Sequence, residues 1–129
     1  MTTPTAQPTM WFLTPFEKNI QVVKRDTHKK LREYLNCERV DCQTFYKDDN
    51  TFYSIVYVDE GMYNPAPYNK CAERLIGKID RIMWGTFTGY FLVCKYIYTD
   101  DGERQVDMDM SPREFVNFCQ SCRSDITGI

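Results

Sequence analysis

Residues 40–58 read VDCQTFYKDDNTFYSIVYV, and this stretch decides the fold. Two runs rich in β-branched and aromatic residues, VDCQTFYK (40–47) and TFYSIVYV (51–58), flank Asp48-Asp49-Asn50. Asp and Asn accept tight-turn conformations and bond to their own backbone, so the pattern predicts a hairpin. The second run is apolar at both parities: Phe52, Val56 and Val58 alternate with Tyr53, Ile55 and Tyr57. A half-exposed antiparallel strand has one polar face. This one calls either for cover on both sides or for a tyrosine-bearing face that meets a partner.

Further along, YFLVCKYIY (90–98) has the same two-sided character. Phe91, Val93 and Ile97 alternate with Tyr90, Leu92, Cys94, Tyr96 and Tyr98. The turn DDGER (100–104) follows, and QVDMDM (105–110) reads as a returning strand with Asp107 and Asp109 on its polar face. Upstream, NIQVVK (19–24) is a short strand. DTHKKLREYLN (26–36) is a helix capped by Asp26 or Thr27, with Leu31, Tyr34 and Leu35 at helical spacing. In NKCAERLIG (69–77), Asn69 caps a short helix and Gly77 ends it; KIDRIMW (78–84) is then a strand, joined to 90–98 through GTFTG. SPRE (111–114) is a capping box that opens a terminal helix bearing Phe115, Val116, Phe118 and Cys119.

The expected class is α+β: one domain with a largely antiparallel sheet of about five to six strands and about three short helices. Residues 1–10, rich in Thr and Pro, read as a tail, 11–123 as the domain and 124–129 as a C-terminal tail. A chain of 129 residues fits a single core.

Aromatic residues make up 15%, with nine Tyr and eight Phe, and the formal net charge is −2. That charge argues against a general duplex-DNA binder. No apolar run approaches the roughly 18 residues of a membrane span. The N-terminus has no basic region followed by an apolar core, so a cytoplasmic location in a host cell, or a place in a virion, is the expectation.

Six cysteines, at 37, 42, 71, 94, 119 and 122, read as reduced thiols in that setting. Their spacing leaves one alternative, a zinc site of Cys37, Cys42, Cys119 and Cys122; otherwise no cofactor is expected. His28, the sole histidine, sits in a charged segment unsuited to a nucleophile–base pair. Lys18, Lys24, Arg25, Lys29, Lys30 and Arg32, mixed with aromatics, carry a weak single-strand nucleic-acid signature, RNA included. No phosphate-binding glycine loop is present.

The order of YVDEG (57–61), Asn64-Pro65, Cys71-Ala72-Glu73, Ile76-Gly77, YFLVCK (90–95), DDGE (100–103) and a Ser-started helix resembles a small uncharacterised family of bacteriophage and large DNA virus proteins. The resemblance spans about residues 18–120. It implies a viral accessory protein and brings no catalytic residues. The expected function is therefore a non-enzymatic binding module. It would dock on a host or viral protein through a tyrosine-rich sheet face and the 59–69 loop, with Tyr53, Tyr57, Tyr63, Asn64 and Tyr68 as binding residues. The alternatives are a structural virion or assembly subunit (a homo-oligomer included), and a protein that sequesters a small ligand or nucleotide or binds single-stranded nucleic acid.

Overall fold

The computed structural model of the chain describes residues 7–26, 28–58, 67–84 and 87–127, without the side chains of residues 80–84 and 123–127. Among the described residues the elements run β1 (Thr9–Leu13), β2 (Gln21–Lys24), α1 (Leu31–Tyr34), β3 (Val40–Tyr46), β4 (Thr51–Val58), α2 (Lys70–Trp84), β5 (Phe91–Thr99), β6 (Gly102–Val106) and α3 (Pro112–Thr127). The six strands form one antiparallel sheet in the order β2-β1-β5-β4-β3, and β6 also pairs with β5. The class is α+β.

The expected hairpin forms with Cys42 opposite Val56 and Phe45 opposite Tyr53. β5 is the hub. One edge pairs with β4 along Phe91–Ile97. Its other edge is shared end to end: β1 takes Phe91–Val93 and β6 takes Lys95–Thr99. Apolar residues at both parities follow from this central position.

Several expectations differ from the structure. Residues 78–84 are not a strand, because α2 runs through Gly77 to Trp84. Cys71, Ala72, Leu75, Ile76 and Ile79 form one buried stripe at helical spacing, and Ile79 continues it past the glycine. A mid-helix glycine costs only about 1 kcal/mol relative to Ala, which burial of that stripe outweighs. Asn69 does cap the helix: its Oδ1 accepts the Ala72 N–H at 2.9 Å.

The missing strand is made up by β1, which enters the expected tail. Met10 is fully buried, and Trp11 stands opposite Val93. At the other end, α3 carries on into the segment read as a C-terminal tail. Between β2 and β3, the helix expected over 26–36 shrinks to α1. Asp26 Oδ1 instead accepts the His28 N–H at 2.9 Å in a turn, and Glu33 reaches back to the Lys30 N–H at 2.6 Å. Asn36, at φ 52°, ends the helix; the Cys37 N–H returns to the Arg32 carbonyl at 3.1 Å, closing a Schellman motif.

Last, β6 stops at Val106, so Asp107 and Asp109 are not the polar face of a strand. Asp107 Oδ1 accepts the Thr9 N–H at 2.8 Å and ties the start of β1 to this segment. Met108 and Met110 pack against the core.

The main core lies between the sheet and α2 and α3. Phe115 on α3 is fully buried against Trp11 (ring centroids 5.5 Å), Tyr53 (5.9 Å) and Phe45 (6.4 Å). The capping box forms as expected: the Glu114 N–H donates to Ser111 Oγ, and the Ser111 N–H donates to Glu114 Oε1. The opposite sheet face holds a smaller core of Met10, Leu35, Val56, Leu92 and Cys94, with Leu31 and Tyr34 from the α1 segment packed on it.

Candidate functional site

α1 has only four residues and covers only part of the second face. Beyond it, towards the β3–β4 and β5–β6 turns, the sheet presents an aromatic cluster centred on Phe52. Tyr96 stacks on Phe52 at 5.1 Å, and Tyr98 and Tyr46 lean on it at 5.2 and 5.8 Å. Phe52 itself is buried, whereas Tyr46 is 61% exposed and Tyr98 39%. The register explains the grouping. Tyr46, Phe52 and Tyr96 are successive cross-strand partners in β3, β4 and β5, and Tyr98 follows two residues after Tyr96 on the same face.

A shallow groove of about 330 Å³ runs over this cluster, with Thr44 and Ser54 in its floor and Asp41 and Glu103 among its lining. The Tyr98 N–H bonds to the Asn50 carbonyl at 2.8 Å, which joins the two turns carrying Asp48, Asp49, Asp100 and Asp101. The open end of the face is therefore aromatic in the middle and acidic around it. Burial, and next the neighbouring Cys94, push the Tyr96 phenol up, so its ring enters the site uncharged.

The binding residues expected from the sequence are distributed differently. Tyr53 belongs to the opposite parity of β4 and is fully buried under α3, with Phe118 at 5.3 Å. Its hydroxyl donates to Asp109 Oδ1 at 2.6 Å, and Lys95 Nζ meets Asp109 Oδ2 at 2.7 Å. Tyr53 is thus a core residue and not a docking anchor. Tyr57, on the same side, packs half-buried against the main core and donates to Asp41 Oδ2 at 3.3 Å. Tyr63 and Asn64 lie outside the described residues, as does most of the 59–69 loop. Tyr68 is 44% exposed, but it stands at the start of α2, where its hydroxyl donates to Glu73. The exposed tyrosines of the sheet are Tyr46 and Tyr98; the parity of YFLVCKYIY flagged Tyr96 and Tyr98, while nothing in the sequence told which parity the helices cover.

The four thiols of the zinc alternative are not brought together. Cys37 packs on the second face, and Cys42 stands on that side opposite Val56. Cys119 is buried in the main core, where Cys122 also packs. The sheet separates the two pairs, and no cluster of three metal-ligating side chains occurs among the described residues. Burial pushes the Cys94 thiol up to about 12 and raises Cys71 and Cys119 as well, the opposite of nucleophile activation. His28 lies on an exposed turn.

Among the described residues, no helix is long and apolar enough to cross a membrane. Compared with known proteins, the chain matches no family model, no curated protein and no solved structure.

Proposed function

We propose that the chain is a non-enzymatic binding module that docks on a basic segment of a protein partner through the open end of its second sheet face. One observation carries this reading: a four-ring cluster on a sheet face, with Tyr46 and Tyr98 exposed, flanked by the carboxylate of Glu103 and the two acidic turns. Tyrosine rings on a strand scaffold offer rigid apolar area, and their hydroxyls stay hydrated. Their faces attract Lys and Arg head groups, and the surrounding carboxylates add to that attraction. An accessory role in a virus, implied by the family resemblance, is part of the same proposal.

Selection from a displayed random-peptide library tests it. The selected peptides are expected to be enriched in Lys and Arg. Tyr46→Ala and Tyr98→Ala should each weaken them about tenfold, as expected of central anchors, while Tyr68→Ala leaves them unchanged. Peptides without basic enrichment, or binding that survives both tyrosine changes, would remove the sheet face from the argument. Concentration-dependent self-association lost in the same variants would assign the face to a second copy of the chain instead.

A further inference from the structure

A second surface lies on the helical side, and its character is the reverse of the first. Three contiguous depressions, of about 750, 380 and 440 Å³, run along α2 to the first turns of α3 and share Arg74. Lys18, Lys70, Arg74, Lys78 and Arg113 line them, against the carboxylates of Glu17 and Glu73. This concentration of cations stands in a chain of net charge −2. Lys70, Arg74 and Lys78 follow one another at four-residue spacing and are all exposed, so their stems rise from one side of α2 about 6 Å apart along its axis. Among the described residues none of the five cations has an ion-pair partner. The first turns of α2 and α3 both open onto the groove and add their positive ends to it.

The groove also has rings. Phe16 is 71% exposed and lines the widest depression together with Tyr68. The Phe16 ring leans on Tyr90 at 6.2 Å but stays largely open to solvent beside the row of cations. Tyr68 is held in place by its bond to Glu73 and by the bridge between Tyr68 and Thr88, which presents a fixed ring at the mouth of the groove. A row of cations tracking a polyanion, ended by exposed aromatic rings, is the arrangement that binds single strands: phosphates lie along the charges and bases stack on the rings. A duplex keeps its base faces stacked inside and has no use for the rings. The acidic turns at the far end of the sheet also leave no continuous basic surface for one.

We infer that the Lys18–Lys70–Arg74–Lys78–Arg113 groove binds the backbone of single-stranded nucleic acid, with Phe16 and Tyr68 stacking bases at one end. The site is separate from the aromatic sheet face. It differs from the cation set that the sequence singled out, sharing only Lys18 with it.

Fluorescence anisotropy of the full chain with a labelled oligothymidine of about 20 nucleotides tests this. If all five cations meet phosphates, affinity should fall about 100-fold between about 50 and 200 mM salt, a log–log slope of about −3.5. Reversing Arg74→Glu and Lys78→Glu together should weaken binding at least tenfold; the neutral pair Arg74→Ala and Lys78→Ala should flatten the slope by about 1.4. Phe16→Ala and Tyr68→Ala should each weaken binding about fivefold or more with the slope intact, because stacking releases no counterions. Lys24→Glu and Lys29→Glu, outside the groove, serve as controls and should change affinity less than about twofold. Urea midpoints equal to the parent's confirm that the variants fold. No binding at low salt, an equal loss from the control changes, or indifference to both ring changes overturns the inference. So does tighter binding of phosphatidylserine vesicles through the same cations, which would make the groove a membrane contact.

Discussion

Truncating Phe115 to Ala tests how the two layers are held together. The ring is fully buried and sits edge-on to Trp11, Phe45 and Tyr53, at centroid distances of 5.5, 6.4 and 5.9 Å. Those rings come from β1, β3 and β4, so one side chain of α3 pins strands from across the sheet. Removing it deletes the transfer free energy of a phenyl ring and leaves a void that three rigid rings cannot close, a cost of about 3–5 kcal/mol. A domain of this size is stable by about 5–15 kcal/mol in all. Removing the cap with Ser111→Ala costs less, about 1 kcal/mol, because Ser111 is exposed and water replaces part of the lost bond. In urea, with a slope of about 2 kcal/mol/M, the two changes should lower the midpoint by about 2 M and about 0.5 M. Equal slopes for parent and variants are required for that reading. A Phe115→Ala loss no greater than the Ser111→Ala loss would refute the packing of α3 on this sheet and leave its apolar stripe to a partner.

Three further outcomes are expected. Burial and the Asp109 bond raise the Tyr53 phenol above its ordinary value, and burial raises the Tyr96 phenol and the Cys94 thiol. The unfolded chain then releases these protons first, so stability is full below about pH 8.5 and falls as pH rises towards 12. Thermal melts across that range check the sign, and Tyr53→Phe should make the fall shallower. At the acid end, burial acts to raise the Asp109 carboxyl, but its bonds from Lys95 and Tyr53 win and hold it below the usual carboxylate range. Stability from this group is present above its unfolded value of about 4 and lost as pH falls through its folded value; Asp109→Asn should flatten the melting midpoint between about pH 5 and 2, and an unchanged acid profile would count against the contact. Finally, chelator is expected to leave the far-UV circular dichroism and the melt unaltered, since the sheet stands between Cys37 with Cys42 and Cys119 with Cys122. Stoichiometric zinc that leaves together with the fold would contradict this.

Local chemistry determined a good deal by itself. The Asp48-Asp49-Asn50 turn between two aromatic runs, the Asn69 cap and the Ser111–Glu114 capping box each depend on neighbours within a few residues, and each forms where the sequence places it. The α+β class follows from such elements, and the two-sided pattern of β4 and β5 left a central position as one of two readings, the other being a face that meets a partner; both strands are central. What lay beyond reach depends on partners distant in the chain. TMWFL carries no alternation, and it is a strand because β5, some eighty residues later, offers an open edge. Gly77 reads as a stop, and α2 passes through it because Ile79 has a core to enter. The sharpest case is the tyrosines. Alternation sets Tyr53 apart from Phe52 within β4, but only the register with β5 puts Tyr53 and Tyr98 on opposite faces, and only the docking of α2 and α3 determines which face is buried. Tyr53 went into the core and Tyr98 to the surface for that reason. The basic groove is tertiary in the same sense: Lys18, Arg74 and Arg113 are remote in sequence, and their charges add up to one field only because the fold sets the segment after β1 beside two helices.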